Sequence, residues 1–324
     1  MRYFITGGCG FIGSHLADKI LEEKNSKVLV LDNLTTGSIR NIEHLKGNPN
    51  FKYDIDTIFN ESKVAEYVDW ADIVIHLAAS VGVRKIVENP VETIENNVHG
   101  TENILKHTAK KGRPIFIAST SEVYGKATKI PFREDDDIVL GPTIKSRWSY
   151  ACSKAIDEFL ALSYFKEKKL PVVIGRLFNT VGPRQVGHYG MVIPRFVSQA
   201  LKGEDITVYG DGRQSRCFCS VKDVVEAILK LIHNPNCYGQ IYNIGSDEEI
   251  TILELAKKVK EKAHSQSKIV FIDYAKAYAE GFEDLGRRVP DISKIRKAIG
   301  FERKYNLDDI LTEIIEYQRR ELIR

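Results

Sequence analysis

In the segment "ITGGCGFIGSH" glycines stand at positions 7, 10 and 13, a GxxGxxG spacing. Such a triplet can hold a pyrophosphate. Gly7 would form a tight turn, Gly10 would let the backbone approach the anion, and Gly13 would let a helix pack close to a strand. A helix that begins there turns free N–H groups and a partial positive charge towards the anion. Turn glycines are common, so the triplet needs a second signal. Asp32 supplies it, nineteen residues beyond Gly13 at the end of the apolar run "KVLVLD". A carboxylate at that place accepts hydrogen bonds from a ribose diol and repels a 2′-phosphate, which favours NAD over NADP. The alternative is a βαβ unit that binds nothing.

A second group of residues could use such a cofactor. "WSYACSK" sets Tyr150 and Lys154 four residues apart, on one face of a predicted helix. A free tyrosine titrates near 10. A nearby ammonium and a positively charged nicotinamide ring would lower that value and make the phenolate a usable base. Thr120, at the end of the preceding strand, could hydrogen-bond the same substrate hydroxyl. Alone, a Tyr and a Lys at this spacing also describe a surface packing pair. In "ASTSEVYG" a carboxylate, Glu122, sits among hydroxyl side chains. It is either a solvated loop residue or part of the chemistry.

These residues need a scaffold that brings them together. "RYFIT", "KVLVLD", "DIVIHLAA", "PIFIAST" and "PVVIGRL" read as strands, and Ile12, Leu16 and Ile20 repeat every fourth residue along a helix from Gly13. Further helices are predicted over 95–110 and 149–168. Strands alternating with helices imply parallel βαβ units. The expected fold is α/β, a Rossmann-type doubly wound parallel sheet over residues 1–175. Residues 176–324 form mainly a smaller, mixed α/β substrate lobe, and the segment near 206–245 partly returns to the first domain. "NTVGPRQVGHYG" looks like a loop that wraps a ligand. Helices near 192–201 and 223–232, the strand "ITVY" and the amphipathic "ILELAKKVKE" follow it.

Composition narrows the class. The chain has 324 residues, 43% hydrophobic and 28% charged, with a net charge of +3 and interleaved signs. That is no nucleic-acid footprint. No apolar run approaches the roughly 20 residues of a membrane span, and the opening "MRYFITGG" is already a strand, so a cytoplasmic location is expected. The five cysteines (Cys9, Cys152, Cys217, Cys219 and Cys237) are scattered. One CxC pair without a second pair gives no metal site, and free thiols are expected.

At this point the chain resembles the extended short-chain dehydrogenase/reductases. The resemblance runs nearly end to end and rests on "TGGCGFIGSH", "DNLTTGS", "HLAA", "NNVHGT", "STSEVYG", "YACSK", "RLFNTVGPRQ" and "VYGDGRQSR". Within the family it is most similar to enzymes of nucleotide sugars, such as UDP-glucose 4-epimerases and UDP-glucuronate decarboxylases. Those keep NAD bound, oxidise the sugar C4 hydroxyl to a ketone and later return the hydride. The resemblance makes Tyr150 the C4 base, Lys154 its tuner and ribose contact, and Thr120 a partner of the substrate hydroxyl. It places Phe11, Ile12, Asn33, Leu77, Ala78 and Ala79 around the cofactor, with Asp54 and Ile55 at the adenine and Asn97 buttressing the active-site helices. Asn179 and Arg216 would hold the substrate diphosphate, Arg216 being otherwise a surface ion pair. Ser121, Val192 and Tyr209 would line the substrate, and Arg184 would approach the cofactor or the substrate loop. Arg288 is a second phosphate contact or a surface charge. The family also implies a homodimer through the helices 95–110 and 149–168.

The outcome after C4 oxidation stays divided. A 4-ketone lies β to a C5 carboxylate, so a decarboxylase can lose CO2 and leave an enolate. Decarboxylases of the family carry "TSE", as here. The 4,6-dehydratases carry an Asp before the Glu, where this chain has Ser121, which argues against dehydration. "NIEHLKGNPNF" and "KSRWSYACSK" resemble decarboxylases. "HLAASVGVRKIVENPVETIENNVHGT" and "GPRQVGHYGMVIPRF" resemble epimerases. The expectation is C4 epimerisation of a UDP-sugar, UDP-glucuronate or a neutral hexose. The alternative is decarboxylation of UDP-glucuronate. A dinucleotide-binding protein without turnover is disfavoured, since Tyr150, Lys154 and Thr120 are all present.

Overall fold

The computed structural model describes residues 1–82, 86, 88–187, 191–273 and 286–323. Parts of the two epimerase-like stretches lie outside them. The runs "YFIT", "VLVL" and "IVIH" are apolar nearly throughout, which suits strands covered on both faces. β1 (Arg2–Thr6), β2 (Lys27–Asp32), β3 (Phe51–Ile55), β4 (Ile73–His76), β5 (Ile115–Thr120) and β6 (Val172–Leu177) pair in parallel. Gln240–Ile244 adds a seventh strand beside β6, in the order Gln240–Ile244, β6, β5, β4, β1, β2, β3. The sheet is of the Rossmann type.

Helices cover both faces. α1 (Phe11–Leu21) and the helix Val221–Ile232 pack on one side, around Leu16, Ile20, Val224 and Ile228. α2 (Glu61–Trp70), α3 (Pro90–Lys111) and α4 (Arg147–Lys168) cover the other, around Val64, Ile104 and Ala161. Pro90 opens α3, where its fixed φ and missing N–H cost nothing, so that helix begins earlier than its periodicity suggests. The chain leaves β1 towards β2 on one side and returns to β4 on the other. That reversal opens a crevice at the C-terminal ends of β1 and β4.

A smaller lobe has its own core. The helices Val192–Lys202, Ile252–Lys262 and Leu307–Ile323 enclose Phe196, Val208, Leu255 and Ile314. The strand Ile206–Tyr209 pairs with Ile269–Ile272 in this lobe and not with the main sheet. The return to the first domain, expected from about 206, therefore comes later, with Val221–Ile232 and Gln240–Ile244. The partner strand lies about sixty residues away in sequence, beyond the reach of a local pattern. A small sheet joins Glu249–Thr251, Ser215–Cys217 and Arg287–Arg288, and sets Arg216 opposite Arg288.

Candidate active site

The C-terminal ends of β1, β4, β5 and β6 open into a cavity of about 500 Å3 that continues to the smaller lobe. Its first half is shaped by backbone. Gly7 has φ +72°, and a Cβ there would lie 2.8 Å from the Ala78 nitrogen. A Cβ on Gly13 would lie 2.4 Å from the Gly7 carbonyl oxygen. Gly10 is the N-cap of α1 and no side chain caps the helix, so its first-turn N–H groups are left for a ligand. Phe11, Ile12, Asn33, Leu77, Ala78 and Ala79 stand in the same wall. Thr6 fixes the Leu77–Ala78 turn by accepting both N–H groups, at 3.1 and 3.2 Å.

Asp32 is buried at the end of β2. It accepts from the Cys9 N–H at 2.9 Å and the Leu34 N–H at 2.8 Å. Burial pushes its carboxyl up, and the N–H groups of Leu34, Cys9 and Gly10 partly offset this. Farther along the wall, Thr180 Oγ1 and Gln185 Oε1 are buried with no hydrogen-bond partner among the described residues. A glycine cradle, an uncapped helix start, a buried carboxylate and unsatisfied polar atoms fit a polar dinucleotide.

Three expected cofactor or substrate positions lie elsewhere. Asp54 is tied to Lys63 and receives a hydrogen bond of 2.6 Å from the Tyr67 hydroxyl, while Ile55 is exposed. Neither lines the cavity. Ile55 pairs with Asp32 at the sheet edge, so the residues just beyond the strand, Asp56 and Thr57, form the wall instead. Arg184 is also outside it, and its guanidinium pairs with Asp18 of α1 at 2.8 Å. Asn97 stands behind the wall. It accepts from the Ser80 N–H at 2.8 Å and donates to Ser153 Oγ at 3.0 Å, linking the turn after β4 to α4.

The second half of the cavity is made by side chains. Tyr150 and Lys154 enter it from α4, and Thr120 and Ser121 from the end of β5. Thr120 hydrogen-bonds the Tyr150 hydroxyl. Burial raises the Tyr150 phenol, Glu122 and Asp157 add to this, and Thr120 opposes it. The lowering expected from Lys154 is outweighed in the chain by itself. Lys154 is 3% exposed and pairs with Asp157 at 2.7 Å.

Glu122 is not a solvated loop carboxylate. It receives Arg147 Nη2 at 3.1 Å and also pairs with Arg288. Burial pushes its carboxyl up, but Arg288, Arg147 and then Arg216 outweigh this and hold it below the ordinary range. It is therefore an ionised acceptor. Arg288 is buried and is no surface charge. Arg147 escaped the sequence reading. The available signal was its place three residues before Tyr150, one turn back on the same helix face. Asn179, with φ +32°, lines the cavity and donates to the Cys217 carbonyl at 2.8 Å. Arg216 lies nearby and donates to the Ser215 carbonyl at 2.7 Å. Val192 and Tyr209 complete the wall, with the Arg195 guanidinium 3.8 Å from the centre of the Tyr209 ring. Cys9, Cys152, Cys217, Cys219 and Cys237 are free thiols.

Comparison with known proteins places this geometry in context. A family model described as GDP-mannose 4,6 dehydratase matches residues 4–314. A UDP-N-acetyl-alpha-D-glucosaminuronate decarboxylase of Bacillus cytotoxicus is 43% identical over 320 residues, 98% of each chain. UDP-glucuronic acid decarboxylase 1 of Danio rerio is 37% identical over 99% of this chain and 73% of its own length. Among solved structures, a UDP-glucuronic acid 4-epimerase from Bacillus cereus, in complex with UDP-glucuronic acid and NAD, superposes with a TM-score of 0.89. It is 26% identical and covers 99% of this chain and all of its own.

Proposed function

Because the chain belongs to the GDP-mannose 4,6-dehydratase-type branch of the extended short-chain dehydrogenases, we propose that it decarboxylates a UDP-uronic acid. NAD is its cofactor; when bound, it takes a hydride from the sugar C4 and gives it back. The observation that carries the proposal is the ion cluster of Glu122 with Arg147 and Arg288, in the same cavity as Tyr150. Simple inversion at C4 needs room and a loose grip, and gives no reason to bury two arginines around a carboxylate. The decarboxylase names of the two sequence relatives support the same reading.

The residues divide the work. Tyr150, aided by Thr120, takes the proton from the C4 hydroxyl. Arg147 and Arg288 offer guanidinium groups to the C5 carboxylate. Once C4 is a ketone, the bond from C5 to the carboxyl carbon breaks, CO2 leaves and the electron pair moves onto the C4 oxygen. The Tyr150 proton stabilises that oxygen. C5 then takes a proton from water to restore the ketone, and when C4 is reduced again Tyr150 returns its proton to the C4 oxygen. Glu122 offsets the arginines, so the carboxylate is oriented without being held too firmly in the ground state. Asn179 and Arg216 hold the diphosphate.

C4 epimerisation, the outcome first expected, is the second reading. The structural likeness to a UDP-glucuronic acid 4-epimerase favours it. Incubation with UDP-glucuronate and its 2-acetamido counterpart separates the two, with products followed by mass and proton NMR. Loss of one CO2 is expected. An unchanged mass with an inverted C4 would replace decarboxylation by epimerisation.

The protein is also proposed to pair as a homodimer through α3 and α4. Val91 and Ile94 on α3, and Ile156 and Phe159 on α4, expose large apolar side chains. Sedimentation should show a dimer that Phe159→Glu splits. A monomeric wild type at micromolar concentration would exclude this contact.

A further inference from the structure

On α4, Tyr150, Lys154 and Asp157 follow one another at spacings of four and three residues, all on the face turned to the sheet. The last of them has no place in the chemistry above. Asp157 is fully buried, and its Oδ2 accepts from the Lys154 ammonium at 2.7 Å. Its Oδ1 is buried without a hydrogen-bond partner among the described residues. A buried carboxylate directly behind an active-site ammonium has consequences, since a low-dielectric setting strengthens their mutual field.

Burial pushes the Asp157 carboxyl up, and Lys154, with a hydrogen bond from Thr101, opposes this. His76 approaches from β4, where its ring bonds Thr6 Oγ1 at 2.7 Å and Thr101 Oγ1 at 3.1 Å. Burial, and after it Lys154, push His76 down to about 3, so the ring is neutral at working pH. Thr101 of α3 is uncharged. Glu158, next along α4, is occupied by Arg176 of β6 at 2.8 Å and by the Ser119 hydroxyl of β5. Glu122, on the far side of Tyr150, is occupied by Arg147 and Arg288. Asp157 is thus the carboxylate that meets Lys154.

We propose that Asp157 is a positioning residue for the Tyr150–Lys154 pair: it fixes the Lys154 ammonium and cancels much of its charge, so that Lys154 orients more than it acidifies. Tyr150 then stays a protonated phenol unless a further positive charge enters the cavity. A lysine free of any counter-ion would instead pull the phenol below its ordinary value. The inference rests on Tyr150 being the C4 base of the function proposed above.

The test is a substrate-free titration of Tyr150 in the holoenzyme carrying NADH, whose nicotinamide ring adds no positive charge. Tyrosine labelled at the ring carbon bearing the hydroxyl is followed by NMR, and Tyr150→Phe identifies the resonance. In the wild type the midpoint should lie above the free value of about 10. Asp157→Asn should lower it by about one unit, and Asp157→Glu should restore most of that shift. An unmoved midpoint in a folded, NADH-loaded Asp157→Asn protein would overturn the proposal. If Asp157→Asn does not fold, Asp157→Ser, which also removes the charge, carries the same expectation. A wild-type midpoint below the free value would by itself overturn the proposal, since it means an uncancelled Lys154. With no sugar present, the result stands apart from the decarboxylation test: either can fail while the other holds.

Discussion

The two halves of the cavity are built in different ways. The glycine half is set by backbone: a left-handed Gly7, a Gly13 with no room for a Cβ, and N–H groups around Asp32. All of it comes from one β–α–β unit. The other half is set by long side chains from three distant segments. Glu122 meets Arg147 across 25 residues and Arg288 across 166. A backbone cradle recognises what is common to every reaction of the family. A side-chain cluster can be rebuilt without disturbing the cradle, so the outcome of the reaction can change while the cofactor stays.

If the halves are separable, substitutions should damage one function and spare the other. The largest effect is expected for Tyr150→Phe. Turnover should fall by about 10²–10⁴-fold, the usual worth of a general base, with NAD still bound. Steady-state rates and the cofactor content of the purified protein check both parts. Near wild-type turnover would remove Tyr150 from the mechanism.

Arg288→Met comes next, because it leaves Glu122 with Arg147 alone. Breaking a buried ion pair costs about 3–5 kcal/mol. The lower figure is expected here, since Glu122 keeps one partner and is 22% exposed. Urea unfolding should show the loss and NAD titration should not. Gly13→Ala is the mirror experiment. Overpacking costs about 1–3 kcal/mol, and NAD binding should weaken sharply in isothermal titration. If Gly13→Ala binds NAD normally, the backbone cradle is not what the first half depends on.

The pH dependence of stability probes the cluster by charge. Glu122 is held below its ordinary range in the folded chain. Its contribution is therefore fully present above the unfolded value, about 4.3, and is lost as pH falls through the lower folded value. The difference in melting temperature between wild type and Glu122→Gln should stay constant near neutrality and shrink only below about pH 4. The smallest effect is expected for Asp54→Asn. That residue makes a partly exposed ion pair outside the wall, worth about 0–1 kcal/mol, and NAD affinity should not change.

Legibility in the sequence follows the same division. Gly7, Gly10, Gly13 and Asp32 could be placed in one cavity wall because their arrangement depends on local spacing. So could Tyr150 and Lys154, one helical turn apart. Five of the seven parallel strands were plain because burial on both faces makes them apolar nearly throughout, whereas β3, a half-exposed edge strand, and Gln240–Ile244 carry no such run. Arg288 stayed ambiguous, since only a partner remote in sequence distinguishes a buried arginine from a surface one. Arg147 and Asp157 went unread for the same reason, although each shares the helix face of Tyr150. Asp54 and Ile55 lie just before the point at the strand end where the wall begins with Asp56 and Thr57, a difference of one or two residues that no local pattern marks. The outcome at C4 hung on Glu122, whose meaning depends on which arginines reach it.

The most direct measurement records NADH absorbance and CO2 release together, after mixing the holoenzyme with UDP-glucuronate or its 2-acetamido counterpart. The wild type should form NADH transiently and release CO2. Glu122→Gln should still form NADH, because Tyr150 is intact, and release little or no CO2. CO2 release by Glu122→Gln at the wild-type rate would contradict the role given to the ion cluster. A wild type that inverts C4 and releases no CO2 would contradict decarboxylation itself.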